Sequence, residues 1–127
     1  MKYTTIPNKI IEVSKIFLGS MTWGNQNTEA EGHEQMDFAL DQGVNFIDTA
    51  ELYPVPATAE ISGRTSKIIG TWLKKRGNRD KVVIASKIAG GGDYTAHIRT
   101  TGFSPGAIKD AIDLELERLQ TDYIDVY

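Results

Sequence analysis

The sequence has no cysteine among its 127 residues, which excludes disulfide bonds and cysteine-ligated zinc sites. It also has no apolar run that approaches the roughly 20 residues needed for a membrane-spanning helix. The first ten residues, MKYTTIPNKI, lack the apolar stretch of a secretory signal. These absences lead us to expect a cytoplasmic protein that is stabilised by an apolar core.

A surplus of basic charge is missing as well. The chain carries 14 Lys and Arg against 17 Asp and Glu, a formal net charge of −3, whereas proteins that bind nucleic acids or anionic membranes need a basic patch. We therefore expect neither kind of partner. The two histidines, His33 and His97, form no pairing motif, so no metal site is predicted.

The sequence also lacks a standard phosphate-binding loop after its first predicted core strand. That position holds GSMTWGNQN (residues 19–27), which is neither GxGxxG nor a P-loop. The glycines of AGGGD (residues 89–93) follow a strand but open a long loop rather than a helix, so a phosphate cradle there is a weak alternative. A doubly wound nucleotide fold is therefore less favoured than a barrel.

What is present is an alternation of short extended runs and amphipathic helices. Residues 1–8 and 10–18 flank a turn at Pro7-Asn8-Lys9, which predicts an N-terminal β-hairpin over residues 1–17. From residue 18 onward, strand and helix alternate three times, and a fourth strand follows at DYIDVY (residues 122–127). This order is typical of parallel βαβ units.

The helix boundaries are predicted from their capping residues. Thr28 and Glu31 form a capping-box pattern at the start of the first helix, and Gly43 follows its end. The second helix ends before Gly77, and the third begins with Ser104 as N-cap and Pro105 at its first position. Apolar side chains recur at helical spacing in all three, and Trp72 lies on such a stripe, which predicts a core residue.

Polar residues follow the predicted core strands. Asp48 ends the second, Lys87 ends the third, and Tyr53 lies in the loop that leaves the second. In a parallel barrel these carboxyl ends converge and carry the functional residues. Each residue alone has a structural alternative: a cap for Asp48, a solvated strand end for Lys87 and a packed loop aromatic for Tyr53.

Several motifs together resemble the aldo-keto reductase family. These are GVNFIDTAELY (43–53), VVIASK (82–87), LQTDYIDVY (119–127) and the opening LGSMTWG (18–24). The details resemble most the Tas-type branch, which is related to the potassium-channel β subunits. The resemblance implies an α/β fold of the (β/α)8 TIM-barrel type, of which residues 1–127 form the first half only: a hairpin, three βα units and a fourth strand.

The family resemblance also implies NADPH-dependent reduction of aldehydes or ketones. Asp48, Tyr53 and Lys87 match three of the family's four catalytic residues, and the fourth, a histidine, is expected just beyond Tyr127. A free phenol has a pKa of roughly 10, and a neighbouring cation stabilises the phenolate. Lys87 would supply that cation, Asp48 would orient Lys87, and Tyr53 would protonate the carbonyl oxygen of the substrate.

The resemblance implies few cofactor contacts in this part of the barrel. Ser20, Met21, Gln26 and Asp48 are the predicted contacts to NADPH, although the family often has threonine and an aromatic residue where Ser20 and Met21 stand. Trp23 is predicted to line the substrate mouth together with Tyr53, with loop packing as the alternative. His97 is a lesser candidate for a substrate contact, and His33 is expected on a solvated helix face.

Three functional hypotheses remain open. The first is a reductase of small carbonyl compounds, completed by further barrel units. The second is a module that binds nicotinamide cofactor to sense redox state, and the third is an inactive fragment. We expect the 127 residues alone to be inactive, and to self-associate through unpaired sheet edges.

Overall fold

The computed structural model describes residues 1–7 and 11–127. Five short strands and three α-helices are present in this part of the chain, and the predicted alternation of strand and helix is confirmed. The regular elements are β1 (Tyr3–Ile6), β2 (Ile11–Ser14), β3 (Leu18–Gly19), α1 (Glu29–Asp41), β4 (Phe46–Asp48), α2 (Arg64–Arg76), β5 (Val83–Ala85) and α3 (Pro105–Leu119), with single 3₁₀ turns at Arg79–Lys81 and Asp93–Thr95.

The N-terminal hairpin forms as predicted. Its arms β1 and β2 pair in antiparallel register, with Tyr3 opposite Ser14. The predicted turn includes Asn8 and Lys9, which lie outside the described residues. The hairpin lies against the chain just before β4, where the side chain of Asn45 accepts a hydrogen bond from Ser14 N at 2.7 Å and the Tyr3 hydroxyl donates to Gly43 O at 2.8 Å. It therefore covers the amino ends of the core strands and leaves their carboxyl ends open.

The core sheet is parallel, in the order β3-β4-β5. Leu18 is opposite Ile47, and Ile47 is opposite Ile84. Successive strands are neighbours, as expected when helices connect parallel strands on one side of a barrel. Within the described residues the sheet does not close, which is consistent with part of a (β/α)8 barrel.

The predicted fourth strand forms only one parallel bridge, between Val126 and Ala85. Val126 N donates to Ile84 O at 3.2 Å, but the Ile84 N–H is bonded at 2.8 Å to the carboxylate of Asp125. A side chain thus accepts the backbone hydrogen bond from Ile84 N that a regular neighbouring strand would accept. Residues 122–127 therefore lie beside β5 without continuing as a strand.

The helix caps follow the sequence prediction. Thr28 and Glu31 make both hydrogen bonds of a capping box at α1, and Ser104 caps α3 with Pro105 in its first turn. The α2–α3 contact requires a glycine, since a Cβ added at Gly70 would lie 2.2 Å from the carbonyl oxygen of Arg118. This contact brings the last turns of α3 against the middle of α2.

The main apolar core lies between the sheet and the helices. Trp72 is fully buried there, as predicted, and its indole nitrogen donates to Asp37 at 2.8 Å. The buried members of the cluster are Trp23, Met36, Ile47, Ile68, Ile69, Trp72, Leu73, Val82, Ile84 and Leu119. No helix in residues 1–7 and 11–127 has the length and apolar character to cross a membrane.

The prediction of a solvated His33 is wrong. His33 is buried between α1 and α2, where its Nε2 lies 3.1 Å from both Ile68 O and Thr71 Oγ1. These partners come from α2, more than 30 residues away in the sequence. The neighbouring glutamates on α1 therefore gave a misleading indication of exposure.

Candidate active site

Three predicted site residues lie at the carboxyl ends of neighbouring parallel strands. Ser20 follows β3, Asp48 ends β4, and Lys87 comes two residues after β5. The Ser20 hydroxyl donates to the backbone carbonyl of Asp48 at 2.5 Å, which ties β3 to β4 at this edge. The sheet topology thus brings together residues that are up to 67 positions apart in the sequence.

Lys87 and Asp48 form an ion pair. The Lys87 ammonium lies 2.9 Å from each carboxylate oxygen of Asp48 and donates a further hydrogen bond to Thr49 O at 2.7 Å. The side chains are 47% and 28% exposed, respectively. The pair is therefore accessible to solvent while the ammonium group is held by three oxygen atoms.

Tyr53 lies next to this ion pair. The Lys87 nitrogen is 4.8 Å from the centroid of the Tyr53 ring, within the range of a cation–π contact. The half-buried tyrosine is held by its backbone, since Tyr53 N donates to Ala50 O and Tyr53 O accepts from Gly63 N at 2.8 Å. The structure therefore places the phenol, the ammonium and the carboxylate of the predicted triad side by side.

The predicted cofactor residues do not all lie at this edge. Met21 is 48% exposed, and its carbonyl accepts a hydrogen bond from Val55 N, in the loop that carries Tyr53. Gln26 instead lines a cavity of about 460 Å³ with Arg64 and Lys67, which Asp48, Tyr53 and Lys87 do not border. A contact between Gln26 and a ligand bound at the strand ends finds no support in this arrangement.

Trp23 faces the core rather than an opening. Its side chain is 1% exposed and belongs to the main apolar cluster, and its indole nitrogen donates to Gln35 at 2.9 Å. The structure thus shows Trp23 packed in the core, which was the alternative interpretation, and does not show it at a substrate mouth. His97 is exposed, with Nε2 2.8 Å from the Ser62 hydroxyl.

Two buried carboxylates behind the strand ends were missed by the sequence analysis. Glu115 is fully buried, and one of its carboxylate oxygens accepts hydrogen bonds from the hydroxyls of Ser66 and Ser86 at 2.8 Å each. The other oxygen accepts from Arg118 at 3.0 Å. Its position gave a usable signal, because Glu115 lies four residues from both Ala111 and Leu119 on the apolar stripe of α3.

Glu51 is the second buried carboxylate, and Arg99 is its partner. The shortest distance of the pair is 2.8 Å, and the hydrogen bonds that Arg99 donates to Glu51 raise the pKa of the guanidinium above its ordinary value. Burial, together with the negative charges of Glu51 and Glu115, raises the pKa of Tyr127 to about 12.

The sequence profile of the aldo/keto reductase family matches residues 15–127. The chain belongs to the aldo/keto reductase family. It is 44% identical over 133 residues to Protein tas of Escherichia coli, an alignment that covers all of this chain and 37% of that protein. Aldo-keto reductase YhdN of Bacillus subtilis is 36% identical, with the same shares of both chains covered.

Other members of the family agree with this assignment. Norsolorinic acid reductase B of Dothistroma septosporum is 33% identical over 94% of this chain and 32% of its own length. A solved structure described as "Putative aldo-keto reductase from Pseudomona aeruginosa" superposes with a TM-score of 0.75 at 28% identity, covering 96% of this chain and 43% of that one. The aldo/keto reductase fold is of the TIM-barrel type, and this chain spans well under half the length of the relatives that it matches.

Proposed function

We propose that the full-length gene product containing these residues reduces aldehydes or ketones to alcohols with NADPH. The observation that carries the proposal is the contact of Lys87 with both Asp48 and Tyr53 at the carboxyl ends of parallel strands. Reduction of a carbonyl group requires a hydride and a proton. Bound NADPH supplies the hydride, and Tyr53 donates the proton to the carbonyl oxygen.

The three side chains have complementary roles in the proposed proton transfer. The positive charge of Lys87 stabilises the phenolate that remains when Tyr53 has given up its proton. Asp48 keeps the ammonium oriented through two hydrogen bonds of 2.9 Å. The proton then returns to Tyr53 from solvent, which reaches the partly exposed ion pair.

Two observations support the proposal of a nicotinamide cofactor at the strand ends. A Cβ added at Gly19 would have no atom within 4 Å, so there is open space above the end of β3. Met21 is exposed beside it, whereas the buried Ser20 hydroxyl is already bonded to the Asp48 carbonyl. We therefore assign cofactor contact to the side chains of Met21 and Asp48 and a supporting role to Ser20.

The substitution Tyr53→Phe tests the proposed proton donor. It removes only the phenolic oxygen, so kcat for aldehyde reduction should fall by about 10² to 10⁴, while NADPH binding should change little. The assay is NADPH consumption by the full-length gene product across a panel of aldehydes and ketones. Tyr94→Phe is the matched control, since Tyr94 is exposed and its hydroxyl accepts a hydrogen bond from Ala57 N.

The same assay, combined with a measurement of NADPH binding, separates the other two hypotheses. NADPH binding without turnover of any carbonyl compound would favour the redox-sensing module. Turnover by Tyr53→Phe at the parental rate would show that another group donates the proton. We expect residues 1–127 alone to have no reductase activity, because they span only 37% of Protein tas, and NADPH oxidation by that purified fragment would contradict this.

A further inference from the structure

The segment that carries Lys87 is not part of a regular element. β5 ends at Ala85, and residues 86–90 belong to no helix or strand. The Lys87 side chain is 47% exposed, so its ion pair with Asp48 orients the ammonium group but adds little to the stability of the surrounding backbone. Another part of the protein must therefore fix the backbone from which Lys87 projects.

Glu51 bonds to this segment on both sides of Ile88. The Glu51 N–H donates to Lys87 O at 3.0 Å, and the Glu51 carboxylate accepts from Ala89 N at 2.7 Å. Glu51 also lies only two residues before Tyr53. One residue thus connects the backbone of the Tyr53 loop to the backbone of the Lys87 loop.

Arg99 completes this contact. Its Nη1 and Nη2 atoms donate to the two carboxylate oxygens of Glu51 at 2.8 and 3.1 Å, and Nη1 also donates to Ala89 O at 2.7 Å. Both backbone polar groups of Ala89 are therefore bonded to the same ion pair. The side chains of Arg99 and Glu51 are only 9% and 2% exposed, so water competes little for these hydrogen bonds.

We propose that Glu51, held by Arg99, is a positioning residue that sets the location of the Lys87 ammonium relative to Tyr53 and Asp48. Its part in catalysis rests on the proposed reductase function, whereas its effect on the position of Lys87 does not. Glu51 does not touch the reacting atoms. It acts through the backbone of residues 87–89, where an apolar residue of similar size would leave the Ala89 N–H without its carboxylate partner.

The first test observes the Lys87 ammonium directly in the full-length gene product. Its ¹H–¹⁵N signal is assigned with Lys87→Arg, and its proton exchange with water is measured at low temperature. In Glu51→Gln, which weakens the arginine pair, we expect the signal to be lost or its exchange to accelerate several-fold. Arg99→Lys keeps the buried positive charge but removes the bidentate fork, so it should have a smaller effect in the same direction.

Two controls separate position from general stability. Asp37→Asn makes the same carboxylate-to-amide change opposite another arginine, Arg76, between α1 and α2. Leu73→Ala weakens the apolar core without touching the strand ends. Both should leave the Lys87 signal unchanged.

Any of three results would overturn the proposal. The signal could persist unchanged in a folded Glu51→Gln chain, or it could be lost equally in Leu73→Ala. The third is unfolding of both Glu51→Gln and Arg99→Lys while Leu73→Ala stays folded, which would make the pair a stability element only.

A second readout is the activity of the full-length gene product. If it is a reductase, Glu51→Gln should lower kcat on the order of 10²-fold through misplacement of Lys87, with little change in KM for NADPH. Asp37→Asn should leave both kcat and KM unchanged. An unchanged kcat would contradict the catalytic part of the proposal. If the parent protein reduces no carbonyl compound, the proposed function fails, but the ammonium measurement still decides whether Glu51 positions Lys87.

Discussion

The interface between α1 and α2 and the carboxyl ends of β3–β5 are stabilised by different kinds of contact. The helix interface is mainly apolar, with Trp72 and Met36 fully buried, and the buried His33 bonds there to groups of α2. At the strand ends, by contrast, charged side chains bond to backbone groups, as Lys87 does to Thr49 O and Glu51 does to Ala89 N. The stability of the helix interface depends on close packing of apolar side chains. The structure of the strand ends depends on a hydrogen-bonding partner for each charged group.

Because of this difference, the apolar layer mainly determines the stability of the fold, and the strand ends mainly determine the distances between the site residues. A truncation in the apolar layer leaves a cavity that lowers the free energy of unfolding but has little effect on distant polar contacts. A change at the strand ends removes little apolar area, yet it alters the distances between groups that act together. Substitutions in the apolar layer should therefore lower stability more than activity, and substitutions at the strand ends should lower activity more than stability.

The largest effect on stability is expected from Trp72→Ala. Trp72 is fully buried in the main cluster, so its truncation should lower the free energy of unfolding by about 3–5 kcal/mol. Urea denaturation of the 127-residue chain measures this loss, with Trp72→Phe as a milder control. A loss below about 1 kcal/mol would mean that the helices close the cavity, and the contrast between the regions would be weaker than proposed.

A second prediction concerns the face of the sheet that is not covered by helices. Side chains alternate along β4, so Phe46 and Asp48 lie on the face opposite Ile47, which belongs to the core cluster. Phe17 contacts Phe46 edge-on at 5.9 Å between ring centroids and is 59% exposed. We expect two copies of the isolated chain to associate through their unpaired sheet edges, so that these faces cover each other.

Sedimentation at several concentrations tests this association. Phe17→Lys should weaken it by about 10- to 100-fold, the equivalent of the roughly 1.5–3 kcal/mol for burying one phenylalanine side chain. Phe103→Lys, in the loop before α3, is a control for the loss of an exposed aromatic residue elsewhere. A monomer at all concentrations would contradict the prediction.

A smaller stability effect is expected from Lys87→Met. Because the Lys87–Asp48 pair is partly exposed, its loss should change the free energy of unfolding by no more than about 1 kcal/mol. In the full-length gene product, Lys87→Met should lower kcat for carbonyl reduction, because the phenolate that forms when Tyr53 gives up its proton loses its stabilising cation. An unchanged kcat would show that Lys87 is only structural.

The smallest effect is expected at Asp37. The hydrogen bond from Arg76, more than that from Trp72, lowers the pKa of Asp37 to about 2 from an ordinary value of 3.8. A carboxyl group with a lowered pKa in the folded state stabilises the protein above pH 3.8, and this contribution is lost as the pH falls toward about 2. Since Asp37 is 38% exposed, screening by solvent keeps the contribution below about 1 kcal/mol.

Acid unfolding of Asp37→Asn measures this contribution. The variant should be slightly less stable than the parent at about pH 6, and the difference should disappear near about pH 2. A difference that persists in acid would show that the amide disturbs packing around Trp72 rather than removing a charge. High salt at neutral pH should reduce the difference between variant and parent.

The sequence by itself determined the elements and their order. The capping residues Thr28 and Ser104 and the stop at Gly77 are local signals, since a helix end is satisfied by atoms within a few residues. The strand-end positions of Asp48 and Lys87 followed from the alternation of strands and helices, because parallel strands place their carboxyl ends at one edge. Family resemblance then gave these residues their expected roles.

Only the tertiary structure decided which polar groups are buried and what they bond to. Glu51, His33 and Trp23 were misjudged or overlooked because their partners, Arg99, Ile68 and Gln35, come from other elements. The predicted fourth strand forms only a single bridge for the same reason, since the Asp125 carboxylate accepts the hydrogen bond from Ile84 N that a neighbouring strand would accept. Local patterns report one face of one element, whereas the burial of a charge depends on partners that only the folded chain brings within hydrogen-bonding distance.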